Sequence, residues 1–391
     1  MRQLAFQTDG KILALGQSMD AVAFWEVTQG KLFSPANVPA SIISGLQFSA
    51  KDELFVASED GMMAWWNPRS AAKLRDVKLE FADHGPMDYF PGDIVPDRFF
   101  RDDRFYSRRG GGGFVTLSSG AEILATGDGG MYSFFDGKTG KLLYDEDAGR
   151  FNGQSVLSFF DGDAKVAAIQ MKRIRVWNAR SGRDLDKFDL PLRDQEQAIR
   201  LAASPSGKHF AIATTNDQGQ GRTMLWDASL KRIAREWITQ DRQEAMRFSP
   251  DQQWLALGGA PNRLLLVRAG AAKGDYPLSL GVRRAEEITE LAFSPDGRQL
   301  ACAAIVPVRD YESGRIFVFE LASKKVRLEL TGHRSGIIDR LAYAPNSGLL
   351  ASGATDTTVL VWQAGLRAFV DRKSTRLNSS HIQKSRMPSS A

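Results

Sequence analysis

Side chains able to do covalent or metal chemistry are scarce in this 391-residue chain. Cys302 is the sole cysteine, which excludes an internal disulfide and a cysteine-rich metal site and fits a reducing compartment. His84, His209 and His333 are the histidines ahead of residue 371. His84 has no His or Cys neighbour at ligand spacing, and His209 opens the apolar run 210–213, where a surface or turn position is expected. No nucleophile elbow, phosphate loop or zinc spacing occurs. The run Gly110–Gly113 lacks the Lys-Ser/Thr that follows in a phosphate-cradling loop. The expectation is therefore no catalytic residue, no cofactor and no metal. Recognition chemistry is present instead, within residues 82–113. Tyr89, Phe90, Arg98, Phe99, Phe100, Arg101, Arg104, Phe105 and Tyr106 combine aromatics with arginine, the types enriched at interface hot spots. The same types stack on single-stranded bases, but Asp97, Asp102 and Asp103 oppose a nucleic acid. These residues are expected to bind a protein or peptide partner, the alternative being that they cap the protein's own surface.

The elements around them are short and β-like. Residues 331–363 hold three apolar runs, 338–343, 349–352 and 359–362, separated by Pro345, Asn346 and Gly348 and then by Thr355 and Asp356. Such a meander cannot bury both faces and needs copies beside it. Seven earlier copies are present, with third runs ending at Trp25, Trp66, Phe135, Trp177, Trp226, Val267 and Phe319 before Trp362. The basic spacing, 41 to 43 residues with three enlarged intervals, is that of a four-stranded propeller blade. Turn chemistry recurs, as in Ser204-Pro205-Ser206-Gly207 and Ser294-Pro295-Asp296-Gly297.

These residues resemble the WD-repeat (G-beta repeat) β-propeller family over essentially the whole of residues 1–369. The matching features are Gly332-His333, Ser294-Pro295-Asp296-Gly297, Leu350-Ala351-Ser352-Gly353, Asp356 and Trp226-Asp227. The resemblance implies an all-β fold of four-stranded antiparallel blades, seven to eight in number, since eight inner-strand sets are present. It also implies that His333 bonds Ser352 and Asp356 of its own blade, with relay to the indole of Trp362. That set is expected to be structural, because a buried polar network must be fully satisfied and a fold does not itself supply catalysis. Only the last copy carries all four residues; Val267 and Phe319 replace the Trp elsewhere.

Met1 falls at the start of an inner strand, so closure would depend on residues 366–370, and an incomplete ring is the alternative to a closed one. Truncation at both ends is expected. Residues 371–391 are similar to the translation of a short-read sequencing adapter, with matches over 371–381 and 385–391 in one frame. They are expected to be a non-native, disordered tail beside a single propeller of residues 1–370. Setting aside the five basic and one acidic residues of this segment takes the formal charge from +5 to +1. The composition then gives no support to a nucleic-acid partner. No apolar run approaches the roughly 20 residues of a membrane-spanning helix.

The enlarged intervals lie at 82–113, at 216–222 and at 306–314, and in WD-repeat propellers all three connections emerge on the top face. The function implied is a non-enzymatic scaffold that binds a protein or peptide there. Two alternatives remain. One is a quinoprotein-like propeller oxidoreductase, which residues 135–141 resemble weakly, with Tyr144 where a Trp is required. The other is an accessory segment of a larger multidomain protein.

Overall fold

The computed structural model describes residues 3–16, 21–37, 43–49, 51–58, 62–78, 114–128, 131–147, 157–170, 172–239, 243–259, 263–270, 278–282, 287–308, 311–333, 337–345, 348–356, 358–365 and 383–385. They form eight sheets of four antiparallel strands, each sheet ordered 1-2-3-4 along the chain. The eight blades occupy residues 3–37, 43–78, 114–147, 157–189, 197–239, 243–280, 287–331 and 338–363, the last completed by Gln383–Ser385. The run 338–343 is the first strand of blade 8, and each of the eight third-run ends lies in a blade's third strand. The protein is an eight-bladed β-propeller.

The ring follows from the apolar pattern of the second strands. In blade 5, His209–Thr215 reads HFAIATT and is almost wholly buried. Alternate side chains point to opposite faces of a strand, so a continuously apolar strand needs cover on both sides. Phe210 and Ile212 pack towards blade 4, while Ala211 and Ala213 pack towards blade 6. The same division recurs around the molecule and yields eight hydrophobic clusters, one at each interface between neighbouring blades.

The ring is closed. Leu4, Phe6, Leu13, Leu15 and Trp25 of blade 1 pack with Leu349, Ala351, Val359 and Val361 of blade 8. Among the described residues, closure comes from these apolar faces; residues 366–370, on which closure was expected to depend, lie outside the described residues. Gln383–Ser385 pair with Val359–Val361 as the outer strand of blade 8; the rest of 371–391, the expected non-native tail, lies outside the described residues. Ladder hydrogen bonds join backbones, so an open sheet edge accepts an extended tripeptide with little regard to its side chains.

Two features set the faces. Turns between first and second strands lie on one side, and there neighbouring blades are stitched by polar contacts: Thr8 to Asp52, Ser119 to Asp163, Asp161 N–H to Pro205 O, and Ser206 to Gln252. Gly207 and Gly297 take the left-handed conformation these turns require, with φ of 70° and 66°. The connections between second and third strands, and those leading into the next blade, leave the opposite side, the top. His209 corrects another expectation: it does open its strand, but it is buried, 7% exposed, and not on the surface. Burial holds its imidazole below the usual value, against the charge of Asp227 on the neighbouring strand.

Candidate functional site

Blade 8 assembles a Ser–His–Asp constellation. Gly332 brings the chain close over the third strand: a Cβ there would lie 2.9 Å from both Leu360 and the ring of Trp362. The next residue, His333, is thereby set between the second strand and the connection that follows it. Its Nε2 is 2.8 Å from Ser352 Oγ. Its Nδ1 is 2.8 Å from Thr358 Oγ1 and 3.3 Å from Asp356 Oδ1. The Trp362 indole N–H donates to Ser352 Oγ at 2.8 Å, and Thr358 donates from both its hydroxyl and its backbone N–H to Asp356 Oδ1. One proton on Nδ1 satisfies the chain: the indole donates to Ser352, Ser352 to His333, and His333 to Thr358 and Asp356. Burial opposes the charge of Asp356, but the Thr358 bonds and the nearby His333 outweigh it and hold the carboxyl below its usual range.

The arrangement has the partners of a nucleophilic triad but not its access. Ser352 is 0% exposed and His333 3%. The serine oxygen that would attack a substrate is already the acceptor for Trp362. A nucleophile must present its oxygen to a reacting carbon at about 3 Å, and the β-sheet interior leaves no path to this one. The chemistry available to the set is cohesion: it ties the segment entering blade 8 to the blade's own strands.

Other blades solve the same problem differently. The residues aligned with Ser352 are Leu15, Val56 and Ile212 in blades 1, 2 and 5, and the indole N–H groups of Trp25, Trp66 and Trp226 are buried without a hydrogen-bond partner. In blade 4, Trp177 Nε1–H donates instead to Tyr144 Oη of blade 3 at 3.0 Å, and that hydroxyl donates to Ala179 O at 2.8 Å. Tyr144, noted in the sequence only as a departure from a Trp, is an inter-blade tie. Blade 5 uses a buried ion pair. Arg222 Nε donates to Glu196 Oε1 at 2.8 Å and NH2 to Glu196 Oε2 at 2.5 Å, while NH1 reaches Glu236 at 2.8 Å. Thr214 also donates to Glu196. Burial works against the Glu196 charge, but the Arg222, Thr214 and Arg193 N–H bonds outweigh it and bring the carboxyl down to about 2. Sequence reading missed this pair because Glu196 and Arg222 lie 26 residues apart. The one available signal was Arg222, a charged residue four positions before Trp226 in a third strand that is otherwise uncharged up to that Trp.

These ties carry the top face. Between the second and third strands of blade 5, residues 216–220 form a compact turn in which Asn216 Oδ1 accepts from the N–H groups of Gln218 and Gln220. Ile238, beside it on the outer strand and paired with Arg222, is 71% exposed. In blade 7 the expected loop at 306–314 is a correction: strands Gln299–Val308 and Tyr311–Glu320 are ten residues each and stay paired to Val308↔Tyr311. Val306, Val308 and Tyr311 favour strand, so the insertion extends the hairpin upward instead of interrupting it. Its Ser313 hydroxyl donates to the backbone carbonyl of His333 at 3.4 Å. The insertion at 82–113 joins Lys78 of blade 2 to Phe114 of blade 3, both at the top. Tyr89, Phe90, Arg98, Phe99, Phe100, Arg101, Arg104, Phe105 and Tyr106 lie outside the described residues, as do His84 and 110–113.

Residues 324–363 match the family description "WD domain, G-beta repeat". The match runs from the outer strand of blade 7 through the third strand of blade 8, the stretch that holds the His333 network. The chain is an eight-bladed β-propeller, and the WD repeat is matched in its last blade. The propeller is 26% identical over 177 residues to the 66 kDa stress protein of Physarum polycephalum, covering 44% of this chain and 26% of that one. It is 28% identical over 184 residues to Protein HIR1 of Kluyveromyces lactis, covering 39% and 21%. It is 24% identical over 183 residues to apoptotic protease-activating factor 1 of Danio rerio, covering 44% and 14%. The matched part of the propeller thus spans about a quarter or less of each of these relatives. Its fold is similar to the crystal structure of the computationally designed Ika8 protein, with a TM-score of 0.64 at 20% identity over 92% of this chain and 95% of that one.

Proposed function

We propose that this WD-repeat propeller is a non-enzymatic scaffold that holds a protein or peptide partner on its top face. The observation that carries the reading is the disposition of the irregular elements. The extended hairpin of blade 7, the compact turn of blade 5 with exposed Ile238, and both ends of the 82–113 insertion all lie on that side. Long connections on a rigid scaffold are where recognition is placed. The Ser–His–Asp constellation of blade 8, meanwhile, is consumed by the structure of its own blade. One relative is named as a factor that activates a protease, an action on another protein.

Within the insertion, Tyr89, Phe90, Arg98, Phe99, Phe100, Arg101, Arg104, Phe105 and Tyr106 are the proposed contact residues. They supply apolar area together with arginine donors, as hot spots do. Deletion of residues 99–106 tests this in a pull-down paired with thermal unfolding. Loss of captured partner with unchanged unfolding supports the proposal. Undiminished capture refutes the assignment to the insertion.

A further inference from the structure

The side opposite the top carries a repeated pairing of aliphatic and basic residues. Antiparallel order places the turns between third and outer strands on the same side as those between first and second strands. Backbone bonds join the two sets, as in Gly137 N–H to Glu122 O, Ala179 N–H to Ala164 O and Ala228 N–H to Lys208 O. Among the described residues six large apolar side chains are exposed. Five of them, Leu74, Leu142, Leu185, Leu230 and Val326, lie in these outer turns or the first two residues after them, between 38% and 57% exposed. The four leucines fall in consecutive blades, 2 to 5. Each has an exposed cation within two positions: Lys73, Lys141, Arg183 and Lys231 in turn. Leu74 and Leu185 are the extra residues where the ladders of blades 2 and 4 shift register, so neither is paired with the third strand. Residues 67–74, 136–142, 178–185 and 227–233 hold eight Lys and Arg against three Asp. Those acids are engaged: Asp136 and Asp227 accept N–H groups of their own turns, and Asp184 lies 2.6 Å from Arg175. Asp52, Asp163, Asp251 and Asp296 belong to the inner turns, between first and second strands.

We infer that this rim, along blades 2 to 5, is a docking surface for a lipid bilayer that bears anionic headgroups. An aliphatic side chain gains by entering the boundary between headgroups and acyl chains, and each cation beside an anionic leaflet adds its own attraction. Neither signal holds a protein on a membrane firmly by itself, and the rim supplies both. Leucines set a blade apart do not make the contiguous apolar core of a protein interface. They suit a fluid surface that each can enter separately, and the neighbouring cations match its charge. The same leaflet repels the acidic inner turns, so the disc rests on its rim and not flat on its face. This inference does not depend on what the top face binds.

Flotation of the full chain with lipid vesicles reads the surface. The expected result is recovery with phosphatidylcholine–phosphatidylserine vesicles, none with phosphatidylcholine alone, and release as salt is raised. Lys141→Gln combined with Arg183→Gln weakens binding about tenfold or more. Leu185→Ser combined with Leu230→Ser also weakens it, and thermal unfolding of both variants is unchanged. Arg173 and Arg193, exposed on the top side of blade 4 and its exit, provide the control. Arg173→Gln combined with Arg193→Gln removes the same charge and leaves binding intact. Equal recovery with phosphatidylcholine alone, undiminished binding in the rim variants, or an equal loss in the top-side pair overturns the inference. Capture of a soluble polyglutamate peptide as tight as that of the vesicles overturns it as well, and assigns the rim to an acidic protein.

Discussion

Replacing Ser352 with alanine separates a cohesive network from a reactive one. The serine oxygen is 0% exposed and makes two bonds of 2.8 Å, to the Trp362 indole and to His333 Nε2. Its removal strands one donor and one ring nitrogen in the sheet interior, and the space vacated by a single oxygen is too small for a water. At about 1–3 kcal/mol for each of the two unsatisfied groups, the loss comes to roughly 2–6 kcal/mol. Trp362→Phe keeps most of the ring packing and removes the donor. In that background the serine substitution forfeits only the histidine bond, so the double-mutant cycle should show a coupling of about 1–2 kcal/mol. An array of repeats need not unfold in one step. The appropriate measurement is therefore amide hydrogen exchange over Leu349–Ala354, alongside urea unfolding. A cost below about 0.5 kcal/mol, or strict additivity with Trp362→Phe, would show that the hydroxyl is as dispensable as it is in blades 1, 2 and 5 and would refute the reasoning. A fluorophosphonate probe should leave Ser352 unlabelled; labelling at that residue would mean that the interior opens to substrates.

Further outcomes follow from the other blades. Glu196 is held at about 2, below the usual carboxylate range, so the pair with Arg222 stabilises the protein above pH ~4.5 and loses its contribution as the pH falls towards 2. The shift corresponds to at most about 3 kcal/mol, and Arg222→Met should flatten that part of the acid-unfolding profile. Tyr144→Phe strands the Trp177 indole and should cost about 1–2 kcal/mol, read as faster exchange in Arg173–Asn178; unchanged exchange there would show that the inter-blade bond carries no weight. Gly332→Ala drives a methyl group into Leu360 and Trp362 and should destabilise blade 8 by about 1–3 kcal/mol in the same exchange experiment. Deleting residues 99–106 should abolish partner capture and leave the unfolding transition in place.

The repeat itself determined the architecture. A short apolar run, a turn and an aromatic at the end of the third run return at nearly constant spacing, and units that cannot bury both faces alone must stack, so the blades and the positions of their first and third strands were legible residue by residue. The local motif around Gly332-His333 was equally legible, because its partners lie within one blade and the resemblance to WD repeats names them. Contacts between elements distant in sequence were not legible. Closure of the ring through Leu4, Phe6 and Trp25 against Leu349 and Val361 depends on faces meeting across the whole chain. The burial of His209, the tie from Tyr144 to Trp177 and the Glu196–Arg222 pair depend on neighbours that no periodicity reveals. The extension of the blade 7 hairpin turned on pairing energy that an insertion length does not express. Sequence periodicity records which faces must be covered. The tertiary structure decides what covers them, and that assigns the Ser–His–Asp set of blade 8 to cohesion: a hydroxyl's reactivity depends on access, and access is a property of the packed ring.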